Sequence, residues 1–559
     1  MVLNKMNLYI PLFFLCLTSF LSAQEINYIV FFSDKKSSPY STDNPSAFLS
    51  QRSIQRRINQ HIAIDLSDLP VNPNYIQQVV SPGAQLINRL KWLNAITIKV
   101  KNDSIIRVIQ QLPFVVNVEK IIPVKKQLPE EYQQKNRSNS ETLKSTLQLS
   151  NDVYDYGNSL AQVAQIGGNC LHNLGFDGKN FVIAVLDAGF LNVNTLSCFD
   201  SLRLSNRILG TWDFVANETS VYEDNSHGTM VLSCMAANWP GNLVGTAPQS
   251  SYWLIRTENA SSELIIEEDN WVAGAEFADS VGADIINSSL GYTTFDSTYQ
   301  NHSWADLDGN TAIATIAADI AASKGIIVCN SAGNEGAGSW KYISVPADAD
   351  SILTIGAVDA NGIRAGFSSV GPTADDRIKP DVAANGNGTF VIAPWNGNVT
   401  QSGGTSFSSP LIAGMCASLW QANPSKTNME IISSIRSAGN QANNPDTLLG
   451  WGIPNFCTAN GILGGTEIIT AKNNDEILNV FYNPTESYFG IYYYSTHKNP
   501  LEFSISDLNG KILLTETREV SENTIHFYKI SSTIDLAAGI YLISAGNSEK
   551  KLTKKIMKF

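Results

Sequence analysis

Between residues 155 and 464 the chain alternates short apolar runs with longer amphipathic stretches. Phe181 to Leu186, Ser251 to Ile255, Asp284 to Asn287, Gly325 to Cys329 and Ile352 to Val358 are apolar along most of their length, which predicts strands buried on both faces. Trp271 to Ser280 and Ile313 to Lys324 repeat apolar residues at helical spacing and predict helices between those strands. Buried strands separated by helices imply an α/β fold, a doubly wound and mostly parallel sheet covered on both sides. In such sheets functional groups gather at the carboxyl ends of the strands.

The flanks follow other rhythms. From 24 to 124, strands are predicted over Asn27 to Phe32, Ala84 to Leu90, Ala95 to Val100 and Phe114 to Ile121, with helices over Ala47 to Arg57 and Ser104 to Leu112. That order, β-α-β-β-α-β, is a ferredoxin-like α+β unit. Residues 125–154 shift to Glu, Gln, Lys, Ser and Asn, the composition of an exposed linker. Residues 474–559 carry short alternating runs with turn signals such as Asp507-Leu508-Asn509-Gly510 and predict a small β-sandwich. At the start, Lys5 precedes an apolar stretch from Leu8 to Leu21 that closes on Ser22-Ala23, the order of a secretory signal peptide over 1–23.

Composition narrows the classes. A length of 559 residues exceeds one compact domain, and 43% hydrophobic against 16% charged residues supports substantial cores. A net charge of −13 sets aside nucleic acid and anionic membrane surfaces as partners. Of the seven cysteines, Cys16 falls in the leader, and Cys234, Cys329 and Cys416 sit in apolar runs as buried thiols. Cys170 with Cys198 is the pair to test for a disulfide; no Cys/His metal spacing occurs, so no metal ligand is assigned.

Four polar positions stand where packing alone would not ask for them. Asp187 closes the buried run Phe181 to Leu186, and an isolated buried carboxylate is costly. His227, in Asn225-Ser226-His227-Gly228-Thr229, opens an apolar helical run through Met235. Ser406, in Gly403-Gly404-Thr405-Ser406-Phe407-Ser408-Ser409-Pro410, opens another through Leu419. Pro410 is expected in the first turn of that helix, which sets Ser406 at the helix start with its own N–H free. Asn334, in Ser331-Ala332-Gly333-Asn334-Glu335-Gly336, offers an amide at a glycine-lined turn after a buried strand. Each alone is compatible with a helix cap or a turn residue.

Together, in the order Asp, His, Asn, Ser, these motifs resemble the subtilisin-like serine peptidases over about 300 residues, from Asp155 to Gly464. Gly245-Thr246-Ala247-Pro248, Ala283 to Gly291, Phe367 to Pro372 and Arg377 to Asp381 are also similar to that family's core segments. The resemblance implies a subtilisin-like fold and roles for individual residues. Ser406 is the nucleophile, His227 the base, Asp187 its orienting carboxylate, and Asn334 with the Ser406 N–H the oxyanion hole. Ser289, Leu290 and Gly291 would bind extended polypeptide substrate, with Ser331, Ala332 and Gly333 on the opposite wall of the primary specificity pocket. The sequence departs at Ala188, where the family usually has Thr, at Ser226, where Gly is common, and at Met230, where a second His often follows. Phe407 and Ser408 also differ from the commonest residues of the Ser motif.

By the same resemblance, residues 24–124 are the inhibitory propeptide of a zymogen, cut off within the linker. The tail resembles the type IX secretion C-terminal sorting domain through Tyr482-Asn483-Pro484, Ile505 to Lys511, Ala538 to Ile543 and the terminal lysines. The expected protein is secreted or surface-attached after passing the periplasm, with polypeptide substrates, its own propeptide and the secretion machinery as partners. No cofactor is required; subtilases often bind structural calcium, but no loop with ligand spacing assigns one here. The competing readings are a catalytically inactive surface-binding protein on the same scaffold and an esterase using the triad on small esters.

Overall fold

The structure, a computed structural model, describes residues 25–121, 152–464, 475–483, 488–496, 498, 500–520, 524–531, 536–537, 539–546 and 551–558. The leader at 1–23 and nearly all of the linker at 125–154, with its expected cleavage site, lie outside the described residues.

Seven parallel strands form the central sheet, in the order Val382–Asn385, Leu353–Val358, Ile327–Ser331, Ile285–Ser288, Val182–Asp187, Ser251–Arg256, Ile208–Asp213. Two of these strands carry no unbroken apolar signal. Ile208–Asp213 is a half-exposed edge, and Val382–Asn385 is only four residues long. Side-chain alternation divides the apolar mass into two cores. Ile183 and Val185 point into one, beneath the helices His227–Ala236 and Thr405–Ala422; Val182, Ala184 and Leu186 point into the other, beneath Ile266–Val281 and Ile313–Ser323.

The N-terminal unit is a four-stranded antiparallel sheet ordered Gln85–Leu90, Ala95–Val100, Ile26–Phe32, Val115–Ile121. Its first helix runs over Gln51–Asn59, later than the apolar pattern suggests, because Ser50 caps it by accepting from Ser53 N. A further helix, Pro73–Val80, starts at Asn72, whose side chain accepts from Asn74 N. Ile29, Leu90, Trp92 and Ala95 of this unit join the second core of the larger domain. Each such buried large side chain contributes about 1.5–3 kcal/mol to holding the two together.

Polar contacts fix the register of that docking on the helix Ile266–Val281. Glu276 accepts from the backbone N–H groups of Lys91 (2.8 Å) and Trp92 (2.9 Å). Asp279, fully buried, receives Arg56 at 2.5 Å, Arg57 at 2.9 Å and Lys91 at 3.0 Å. Burial alone would raise the Asp279 carboxyl, but Lys91, Arg57 and Arg56 hold it below the ordinary carboxylate range.

The described C-terminal residues form two antiparallel sheets around one apolar core that includes Ile491, Phe503 and Ile543. The disulfide expectation needs correction: Cys170 pairs with Cys457, their Cα atoms 5.9 Å apart, and Cys198 stays buried and free. The helices Gly168–Asn173 and Phe456–Leu463 pack side by side, anchored by Phe456 N donating to Ile166 O at 2.8 Å. Cys198 lies instead in a short turn at Ser197–Phe199. Cys234, Cys329 and Cys416 are buried free thiols.

Candidate active site

Asp187 is the last residue of the central strand Val182–Asp187, with no exposed surface. Its Oδ1 accepts from Ala188 N at 2.8 Å and from His227 Nδ1 at 2.8 Å. His227 reaches it from the first residue of the helix His227–Ala236, with Asn225 Oδ1 accepting from His227 N at 2.8 Å. Gly228 makes the approach feasible: a Cβ there would stand 2.5 Å from Gly189 O and 3.0 Å from Asp187 Cβ. Burial disfavours the imidazolium, yet the charge and hydrogen bond of Asp187 raise the His227 pKa above its ordinary value of 6.5. The imidazole is 30% exposed while its carboxylate partner is sealed.

Ser406 is the second residue of the helix Thr405–Ala422 and nearly buried. Its Oγ donates to Ser289 O at 3.4 Å rather than to His227. The next side chain, Phe407, lies against the imidazole with ring centres 5.9 Å apart. Pro410 is not in the first turn as expected but is the sixth helical residue. Its missing N–H would have bonded the carbonyl four residues back, which is that of Ser406. Ser289 Oγ supplies the replacement, donating to Ser406 O at 3.0 Å, so the helix continues through the proline.

Asn334 follows the strand Ile327–Ser331 and is exposed. Its Oδ1 accepts from Thr405 N (2.9 Å) and Thr405 Oγ1 (3.1 Å), which turns the amide N–H₂ outward. A Cβ built on Gly404 would be 3.7 Å from both Asn334 Nδ2 and Ser406 N, so both donors border the space beside Gly404. An oxyanion requires two donors within reach of one oxygen. Thr405, which orients the amide, carries no signal of its own in the sequence beyond its place in the Gly-Thr-Ser motif.

The two candidate substrate walls leave adjacent parallel strands. Ser289, Leu290 and Gly291 follow Ile285–Ser288; Ser331, Ala332 and Gly333 end and extend Ile327–Ser331. Asn330 Nδ2 donates to Leu290 O at 3.2 Å and ties the walls together. Between them lies Ser344, whose buried hydroxyl has no partner. A Cβ on Gly291 would stand 2.0 Å from Ser344 Oγ and one on Gly333 3.1 Å from it. Among the described residues no cluster of three or more His, Cys, Asp or Glu side chains has metal-binding geometry.

Residues 178–452 match the family model of the subtilases, Peptidase S8. Residues 27–141 match the Peptidase S8 propeptide domain of Bacteroidota, and 479–558 the secretion system C-terminal sorting domain. Subtilisin NAT of Bacillus subtilis subsp. natto is 32% identical over 297 residues, spanning 52% of this chain and 69% of that protein. The subtilisin of Bacillus pumilus is 32% identical over 279 residues, spanning 49% of this chain and 89% of that protein. The solved structure of the prenylagaramide maturation protease PagA aligns at 21% identity and a TM-score of 0.43, covering 54% of this chain and 99% of that one.

Proposed function

Because the chain belongs to the subtilase family of serine endopeptidases, with an S8 propeptide domain before the catalytic domain and a secretion sorting domain after it, we propose that it cleaves polypeptides through Asp187, His227 and Ser406. It is a secreted or cell-surface serine endopeptidase. In the proposed mechanism the Ser406 hydroxyl rotates from Ser289 O toward His227, whose Nε2 takes the proton as Oγ attacks the scissile carbonyl. Asp187 holds Nδ1 protonated and stabilises the imidazolium. Asn334 Nδ2 and Ser406 N receive the developing oxyanion. Collapse of the tetrahedral species passes the proton to the leaving amine, and water then hydrolyses the acyl-enzyme by the same route. Ser289, Leu290 and Gly291 would pair with the substrate backbone opposite Ser331, Ala332 and Gly333. The scheme draws on protein groups alone.

The observation that carries this reading is the 2.8 Å bond between a wholly buried Asp187 and His227, beside the helix that starts at Ser406. The docked N-terminal unit supports synthesis as an inhibited zymogen, because Asp279 and Glu276 of the catalytic domain are satisfied by propeptide groups. The inactive-scaffold reading finds no support in the comparisons. Denatured casein, given to the protein and to Ser406→Ala, tests the proposal: the first should degrade it and the second should not. Hydrolysis of an activated ester with casein left intact would favour the esterase reading instead.

A further inference from the structure

Asp187, Arg256 and Asp213 end three neighbouring strands in register, Arg256 facing Asp187 on one side and Asp213 on the other. The Arg256 side chain is buried, 8% exposed, and the chemistry proposed above makes no use of it. Its Nε donates to Ala188 O at 3.1 Å and to Glu258 O at 3.2 Å. Its Nη1 meets Asp213 Oδ2 at 2.7 Å and Asp224 Oδ2 at 3.0 Å. Ala188 is the peptide next to Asp187, and Asp224 stands three residues before His227. Asp213 is itself anchored, its Oδ1 accepting from Val215 N (2.7 Å) and Ala216 N (2.8 Å).

We propose that Arg256 is a positioning residue for the catalytic pair: its guanidinium fork ties the turn after Asp187 to the loop that delivers His227. The proposal rests on the triad reading given above. A planar guanidinium presents several donors at fixed angles, so it can bind a carbonyl on one edge and two carboxylates on another, which an ammonium cannot. Backbone bonds join the same two loops, Phe190 N to Val221 O at 2.7 Å and Leu191 N to Asn225 O at 3.0 Å, and the fork adds a side-chain tie nearer the Asp187 end. Catalysis is steep in alignment: about 1 Å of misplacement costs about a hundredfold in rate.

Asp224, 39% exposed, gives the variant least disposed to unfold. Mature enzyme from the full chain is counted by titration with a serine-reactive organophosphonate, and kcat, KM and the pH profile are measured for Asp224→Asn, Arg256→Met and Arg256→Lys. The expected result is a loss of about tenfold to a hundredfold in kcat for Asp224→Asn and Arg256→Met, with KM within about twofold. The acid limb of kcat/KM should move down in pH as the Asp187–His227 contact loosens, and Arg256→Lys should restore part of kcat. In a His227→Ala background, which the organophosphonate does not label and which is counted instead by absorbance of the purified protein, Asp224→Asn should cost nothing further, because the alignment it supports has no imidazole left to serve. Unchanged kcat and acid limb in Asp224→Asn, or an equal loss in the His227→Ala background, would overturn the proposal while leaving the triad intact. A fully active Ser406→Ala would instead sink the triad itself.

Discussion

His227 must be neutral to accept a proton, and Asp187 raises its pKa above 6.5. A raised pKa keeps the inhibited, protonated form populated to higher pH. Activity is therefore lost as pH falls through a value above 6.5, and the acid limb of kcat/KM for a neutral peptide should show it; a limb at or below 6.5 would contradict the assignment. Replacing Asn334 by Ala should lower kcat by about 10² to 10³, a magnitude known from subtilisin and borrowed here. Thr405→Val, which removes one of the two bonds that turn the amide, should lose less than that and mostly in kcat. Ser344 adds a statement about substrates: with its hydroxyl lodged between Gly291 and Gly333, the slot between the walls is shallow. Ser344→Gly should raise kcat/KM for peptides with an aromatic residue before the scissile bond relative to alanine, and an unchanged ratio would remove Ser344 from the slot. Asp187, His227 and Ser406 were legible because each closes or opens an apolar run, where a polar residue has a cost to justify, and Asn334 because it stands in a glycine-lined turn after a buried strand. Arg256 gave no such signal, since an arginine closing an edge-side strand looks like an ordinary solvated end. Only its register with Asp187 and Asp213 reveals it.

At the level of elements, the helix Thr405–Ala422 joins catalysis to packing. Proline inside a helix ordinarily costs about 3 kcal/mol. Here the orphaned Ser406 carbonyl already accepts from Ser289, so Pro410→Ala should gain under about 1 kcal/mol. Urea unfolding in a Ser406→Ala background, which prevents self-digestion, measures it; a gain near the full helix value would show the hydroxyl to be a poor substitute. Five of the buried strands were readable as apolar runs because both of their faces are covered, whereas Val382–Asn385, equally buried, is too short to show one. Ile208–Asp213 was not, because an edge strand with one wet face has no run to show. The Cys170–Cys457 bridge joins residues 287 apart in sequence, a pairing that cysteine spacing cannot select.

Across the whole molecule, the propeptide covers carboxyl groups on the helix Ile266–Val281. Burial pushes Glu276 up to about 7 despite Lys91, the N–H groups of Trp92 and Lys91, and Lys35. Burial likewise pushes Asp269, which accepts from Thr97 Oγ1 at 2.7 Å, up to about 7, with Glu268 and Glu119 adding to the rise. Loss of the propeptide would remove part of the burial that raises both, so their pKa values should fall toward the ordinary carboxylate range. Groups raised in the complex stabilise it fully in acid, and their contribution is lost as pH rises through about 7. Asp279, held low, acts oppositely, and its contribution disappears only in acid. The cleaved propeptide should therefore dissociate faster at about pH 8 than at about pH 5.5, as followed by size-exclusion or fluorescence. Equal or reversed rates would contradict this balance. Asp279→Asn leaves Arg56, Arg57 and Lys91 buried around a neutral group and should weaken the complex by about 3–5 kcal/mol.

The most direct check is covalent. An organophosphonate probe reacts with a serine only when a neighbouring base draws off its proton and donors receive the phosphonyl oxygen. Peptide mapping of labelled enzyme should place a single adduct on Ser406, absent in His227→Ala. An unlabelled protein, an adduct on another serine, or labelling that survives the loss of His227 would mean that these groups do not act together.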